Sequence, residues 1–205
     1  MLQYQTVEPA TLELLKSLMS KEYLKPFNLV GGTALALQIG HRMSVDLDLF
    51  TPDIEFDDTE LLDNLSNDFQ DFSVRYRRPN AIIMMIQNVK VDFIRFKYPF
   101  FKPLHHFDGI RMVDAEDIAT MKIDAITGRG KKKDFVDLYY LLQRYDLPHI
   151  LDLYQKKYKH VTLFHVIKSL TYFEDAEADE VEMLDDKVTW AMMKKTIQMA
   201  VNQIE

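Results

Sequence analysis

Residues Gly31 to Phe50 read GGTALALQIGHRMSVDLDLF, and this stretch decides how the chain is built. It follows the short apolar run Phe27 to Val30, opens on a double glycine, continues through a helical pattern and closes on a strand with two aspartates. Alternation at period two places Val45, Leu47 and Leu49 on one face of that strand and Ser44, Asp46, Asp48 and Phe50 on the other. With a rise of about 3.3 Å per residue, Asp46 and Asp48 stand roughly 6.6 Å apart, close enough to share one or two divalent cations. Two-metal phosphoryl-transfer sites hold their ions about 3.5–4 Å apart, a span such a pair can bridge. Gly31 and Gly32 let the backbone turn tightly and let a ligand approach the main chain. Thr33 is expected to cap a helix through Ala34, Leu35, Ala36, Leu37 and Ile39, whose first N–H groups would form an anion site suited to a triphosphate. Alone, the double glycine reads first as a plain tight turn; the DxD on the next strand turns the reading to phosphate.

Working outward, residues 8 to 20 form a helix with Pro9 in its first turn and Leu12, Leu14, Leu15, Leu18 and Met19 as its apolar stripe. Thr51, Pro52 and Asp53 break the aspartate strand, and a helix follows from Asp58 to Phe69 with Leu61, Leu62 and Leu65 inward. Three strand-like runs come next, Phe72 to Tyr76, Ala81 to Gln87 and Val89 to Phe96, joined by turns that predict an antiparallel meander. The last carries a third carboxylate, Asp92, on the face of Lys90 and Ile94. An aspartate in an apolar strand must be paired, hydrogen-bonded or metal-bound, so a salt-bridged Asp92 competes with a ligating one. Tyr98 to Gly109 reads as a loop, and the His105-His106 pair as solvated side chains within it.

Beyond Asp114 the pattern is helical. Asp114 would cap a helix to Thr127 with Ile118, Met121 and Ala125 inward, and the next, Lys132 to Arg144, would bury Phe135, Leu138, Tyr139 and Leu142. Tyr139 and Tyr140 suit core and rim. Lys122 reads from spacing alone as a surface helix lysine; Asp134 suits a pair with Lys131 or a cap, and Asp137 a pair with a neighbouring lysine. Two short helices span Leu147 to Leu170, and a last amphipathic one carries Trp190, Met193, Ile197 and Val201. Between them, Glu174 to Asp186 has eight acidic residues and no basic one, and reads as a solvated loop or an interaction segment.

The 205 residues contain no cysteine, which excludes disulfides, thiolate metal sites and a thiol nucleophile. No leader-like N-terminus and no long apolar run is present, so a cytoplasmic chain without a membrane span is expected. Net charge is −7, yet Arg75 to Lys133 holds 13 Lys and Arg against 6 Asp and Glu, while the remainder holds 12 against 26. Either one face binds anions or the surface is simply solvated and uneven.

GGTALALQIGHRMSVDLDLF, then VKVDF, then MKIDAITGRGKKKDFVDLYYLL, resembles in order the motifs of the AbiEii/AbiGii toxin family, within the DNA polymerase β-type nucleotidyltransferase superfamily. The resemblance covers roughly residues 28 to 145. It implies an α+β fold: a nucleotidyltransferase-like mixed or antiparallel sheet flanked by helices over residues 1–112, with a helical region over 113–205 completing the site. It also implies Mg²⁺-dependent transfer of a nucleoside monophosphate from an NTP to a hydroxyl, with two metal ions, on a tRNA end or on a protein, and a cognate antitoxin as partner. Gly31, Gly32 and Thr33 would cradle phosphates; Asp46 and Asp48 would bind both metals and Asp92 the catalytic one. Lys122 would contact the nucleotide, Asp134 and Asp137 match the family's DxxD, and Arg42 and Ser44 match its HRxSxD segment. The family commonly has serine where Thr33 stands. A nucleotide- or partner-binding relative without turnover is the alternative of a different class.

Overall fold

The computed structural model describes residues 1–204. They fall into two compact units, residues 1–39 with 44–114, and residues 40–43 with 115–205.

The first unit contains α1 (Pro9–Ser20), β1 (Asn28–Val30), α2 (Gly31–Ile39), β2 (Leu47–Pro52), α3 (Asp58–Asp68), β3 (Phe72–Arg78), β4 (Ala81–Ile86), β5 (Val89–Phe96), β6 (His105–Phe107) and β7 (Ile110–Met112). The strands form one mixed sheet in the order β3-β4-β5-β2-β1-β7-β6. Neighbours run antiparallel except β2 with β5 and β1 with β7. The meander β3-β4-β5 forms as its turns predict: Gln87 and Asn88 both take positive φ, the hairpin geometry whose twist matches the strands it joins.

Register is fixed by apolar rows. Leu47 pairs with Val91 and Val91 with Met84; Leu49 pairs with Phe93 and Phe93 with Ile82, and all six side chains are buried. Burying each contributes about 1.5–3 kcal/mol, and a slip of one residue would drive Asp48 and Asp92 into that core. Helix α3 covers the same face: Leu61 and Leu65 are buried, Asp57 caps the helix by accepting from the Thr59 and Glu60 amides, and Arg77 of β3 bonds Asp58 and Thr59.

Three expectations are corrected here. β2 begins at Leu47, so Val45 lies ahead of the strand and is exposed rather than on the Leu47 face. Helix α2 begins at Gly31, which puts Thr33 inside its first turn and not at its cap. His105 and His106 lie on β6, in a hairpin with β7 turned by Asp108 and Gly109 at positive φ. A three-residue strand without apolar alternation leaves no periodic signal.

The second unit contains α4 (Ala115–Gly128), α5 (Lys132–Leu141), α6 (Leu147–Lys157), α7 (Leu163–Leu170) and α8 (Trp190–Asn202). The buried side of α4 is Ile118, Ala119, Lys122, Ile123 and Ile126; Met121 and Ala125, expected inward, are half-buried. In α5, Phe135, Leu138 and Leu141 are buried, and Phe135 packs against Phe173 and Trp190 at ring distances of 5.0 and 6.0 Å. The acidic stretch is more than a solvated loop: the Met43 amide donates to Glu182 at 2.9 Å and the Leu184 amide to His41 at 3.1 Å, an antiparallel bridge centred on Arg42 and Met183.

Candidate active site

In the first unit, the sheet brings the third carboxylate to the first two. Asp48 and Asp92 are direct partners on the parallel strands β2 and β5, which places both on the face opposite the apolar rows. Paired residues on neighbouring strands sit about 4.8 Å apart, so the two carboxylates share one patch of sheet. Asp46 immediately precedes β2. Its carbonyl accepts from the Thr33 hydroxyl, which also shares a 2.8 Å hydrogen bond with Ser44. Thr33, expected at the phosphates, and Ser44, expected either to touch phosphate or to brace the loop, are both buried and here fasten the chain that enters β2.

Gly31 takes φ +68°, and a Cβ built there would collide with Asp48 Oδ2 and lie 3.3 Å from Asp48 Cγ. A side chain at position 31 and an inward Asp48 exclude one another, so the glycine serves the carboxylate as well as the turn. Gly32 is buried in the same helical turn.

Lys90, to which the sequence reading gave no role, joins this carboxylate cluster. Its ammonium donates to Asp92 Oδ2 at 2.7 Å. Burial pulls the Lys90 pKa down, but the hydrogen bond and charge of Asp92 and the charges of Asp48 and Asp46 outweigh it and hold the group above the ordinary lysine value. All three carboxylates therefore act on one cation position. The signal was in VKVDF: residues 90 and 92 share a strand face.

Asp92 Oδ1 is buried and has no hydrogen-bond partner. A carboxylate oxygen withdrawn from water without a partner is destabilising, and a cation is the partner its chemistry suits. Among the described residues no three His, Asp or Glu side chains already stand at metal-ligand spacing. The donor set is nonetheless that of a hard divalent cation, with an orphaned oxygen on Asp92 and Asp48 set against a glycine.

The second unit gathers the other expected residues into a buried charge network. Asp137, 0 % exposed, accepts from Arg42 Nε at 2.6 Å and Nη2 at 2.9 Å, bonds His41 Nε2 at 2.6 Å and meets Lys122 Nζ at 2.6 Å. Asp134, equally buried, takes Lys122 Nζ at 3.0 Å and the Arg129 guanidinium at 2.9 and 3.0 Å. Burial pushes the Asp137 carboxyl up, but Arg42, Lys122 and the hydrogen bonds of His41 and Arg42 overcome it and hold it well below the usual range. Asp134 is lowered in the same way by Lys122 and Arg129. Lys131, the expected partner of Asp134, pairs instead with Asp179. Lys122 is buried and not a surface lysine.

His41 was missed altogether. Burial lowers its pKa, with Arg42 and Lys122 adding to that effect and Asp137 opposing it, so the ring is neutral and donates from Nε2 to Asp137, while Nδ1 is buried without a partner. Only its place in GHRMS beside Arg42 hinted at a role.

Comparison with known proteins places the chain in a family and shows solved structures of similar fold. The family model for the AbiEii nucleotidyl transferase toxin of type IV toxin–antitoxin systems matches residues 13–106 and 100–203. The uncharacterized protein aq_aa25 of Aquifex aeolicus is 37 % identical over 183 residues, covering 84 % of this chain and 86 % of that one. Among solved structures, the nucleotidyltransferase toxin MenT4 of Mycobacterium tuberculosis superposes with a TM-score of 0.60 at 16 % identity, covering 91 % of this chain and 78 % of MenT4. JHP933 of Helicobacter pylori gives 0.55 at 17 % identity, covering 97 % and 94 %. At such identities these two likenesses are likenesses of fold.

Proposed function

The chain belongs to the AbiEii family of nucleotidyltransferase toxins, and from that premise we propose that it transfers a nucleoside monophosphate from an NTP to a hydroxyl at an RNA end, tRNA being the leading acceptor. The observation that carries this is the in-register pairing of Asp48 with Asp92 beside Gly31.

In this reading the acceptor oxygen attacks the α-phosphorus, the bond from that phosphorus to the β-phosphate's bridging oxygen breaks, and pyrophosphate leaves. Asp46, Asp48 and Asp92 would hold Mg²⁺, which when bound supplies positive charge at the reacting phosphate and acidifies the acceptor hydroxyl. The N–H groups of the first turn of α2 receive phosphate oxygens, and Gly31 keeps the approach to Asp48 open. Asp92 Oδ1, which has no partner, is open to that cation, while Lys90 pairs with Oδ2 and competes with the cation for the carboxylate. Arg42, Asp134 and Asp137 act as a positioning group for Lys122. An ammonium has three N–H donors, and with two directed at Asp134 and Asp137 a third can serve an anionic ligand.

The test is incubation with Mg²⁺, total tRNA and each α-labelled NTP in turn, beside Asp48→Asn and Asp92→Asn. Label on RNA from the parent chain alone supports the reading and names the base. Label on protein replaces the acceptor, and label unaffected by either substitution removes the three carboxylates from the chemistry. A cognate antitoxin is proposed on the family's description.

A further inference from the structure

The register of the sheet extends the carboxylate face beyond Asp92. Val30 pairs with Asp48, Asp48 with Asp92, Asp92 with Ile83 and Ile83 with Tyr76, one row across five strands. The adjacent row runs Asn28, Phe50, Ile94, Ala81 and Arg78. Side chains paired across neighbouring strands share a face, so Tyr76 and Arg78 stand on the same face as Asp48 and Asp92. The register shift between Val74 and Tyr76 is what brings this about: Arg75 is the extra residue, Val74 falls on the core side and Tyr76 on the carboxylate side.

β3 is the edge strand, and from Ser73 to Arg78 every residue is exposed, Tyr76 at 49 %. Between it and Asp92 the floor is Ile83, Met85 and Ile94, all half-buried, with no acidic side chain on β4. Next to that floor stands Arg78, with exposed Arg75 in the bulge that precedes Tyr76, whereas Arg77 falls on the opposite face and is engaged by Asp58 and Thr59 of α3. Along the row the order is fixed: glycine turn, Asp48, Asp92, apolar floor, tyrosine with arginines.

We infer that the β4–β3 edge is the acceptor platform, on which a single-stranded RNA end lies with a base stacked on Tyr76 and its backbone phosphates at Arg75 and Arg78. This rests on the RNA-acceptor reading above. The triphosphate takes the Gly31 side of Asp48, so an acceptor hydroxyl at Asp92 must arrive from the other side, where Tyr76 lies two strands, or about 10 Å, away. An exposed aromatic ring stacks any base, and flanking guanidinium groups neutralise phosphates without reading sequence. The same alternation supplies an internal control in Arg77.

The test is fluorescence anisotropy of a short labelled single-stranded RNA with the full chain, without NTP or Mg²⁺, alongside the RNA KM of label transfer. Tyr76→Ala is expected to weaken RNA binding about tenfold. Arg75→Gln and Arg78→Gln each weaken it and lower the slope of log affinity against log salt by about 0.7, whereas Arg77→Gln leaves both unchanged. The transfer assay should show the same losses in RNA KM, with the NTP KM unmoved and thermal unfolding unchanged. Parent-like binding by Tyr76→Ala and Arg78→Gln, with RNA still labelled, overturns the platform and leaves the transfer reading standing. An equal loss from Arg77→Gln overturns it as well. Absence of RNA binding by the parent chain, with label on protein, overturns platform and RNA acceptor together.

Discussion

At position 31 even a methyl group meets the Asp48 carboxylate, to which the proposed chemistry assigns a metal ion. Gly31→Ala is expected to cost about 1–2 kcal/mol through its left-handed φ, and to displace Asp48 besides. For a chain of this size the first effect lowers Tm by several degrees, roughly 2–4 °C per kcal/mol. Label transfer at a temperature where the variant remains folded should fall far more than that, and a variant with parent-like transfer would show that Asp48 has room to move. Lys90 gives a second prediction: its ammonium and a divalent cation compete for Asp92, so Lys90→Met should bind Mn²⁺ several-fold more tightly by titration calorimetry. Unchanged or weaker binding would make Lys90 a brace and not a competitor. The outward face of Asp48 and of Asp92 was legible in strand alternation, whereas the contact of Gly31 with Asp48 was not, since it depends on an atom 17 positions along the chain.

Helices α4 and α5 show what spacing cannot reveal. The DxxD of α5 was visible, with pairing to nearby lysines among its readings, but its partners come from Lys122 and Arg129 and from the short segment carrying His41 and Arg42. Periodicity names the inward face of a helix and is silent about which charges meet there. It also set Lys122 outside, because a buried lysine is admitted only by the carboxylates that surround it. Asp137→Ala removes the fully buried carboxylate that Arg42 and Lys122 share, and should destabilise the chain by about 3–5 kcal/mol in urea unfolding. A loss below about 1 kcal/mol, the range of surface pairs, would contradict the network's weight. The helices and the meander were otherwise readable from apolar pattern and turn residues; the β6–β7 hairpin was too short to leave one.

Across the whole molecule, acid should act in two stages. His41 is held neutral with a pKa below its unfolded value, so between that folded value and about pH 6.5 the unfolded chain binds a proton that the folded chain does not. Stability is therefore full above pH 6.5 and falls on acidification, by at most about 1.4 kcal/mol per pH unit for one proton. Asp137 and Asp134, with lowered pKa values, hold their full contribution above the unfolded carboxylate range and lose it progressively as pH falls from that range to their own folded values. The urea midpoint should thus begin to fall just below pH 6.5, and His41→Gln should remove that first stage while leaving the second. A parent profile flat down to pH 5 would contradict the buried neutral imidazole.

The central claim is that these carboxylates direct a nucleotidyl group, and the identity of the transferred phosphate tests it most directly. The chain would be given total tRNA and Mg²⁺ with NTP labelled at either the α- or the γ-phosphate, and RNA and released phosphates would be separated. The account predicts α-label on RNA and γ-label in pyrophosphate, both abolished in Asp48→Asn. Transfer of γ-label to the acceptor, or α-label transfer that survives loss of Asp48, would contradict it.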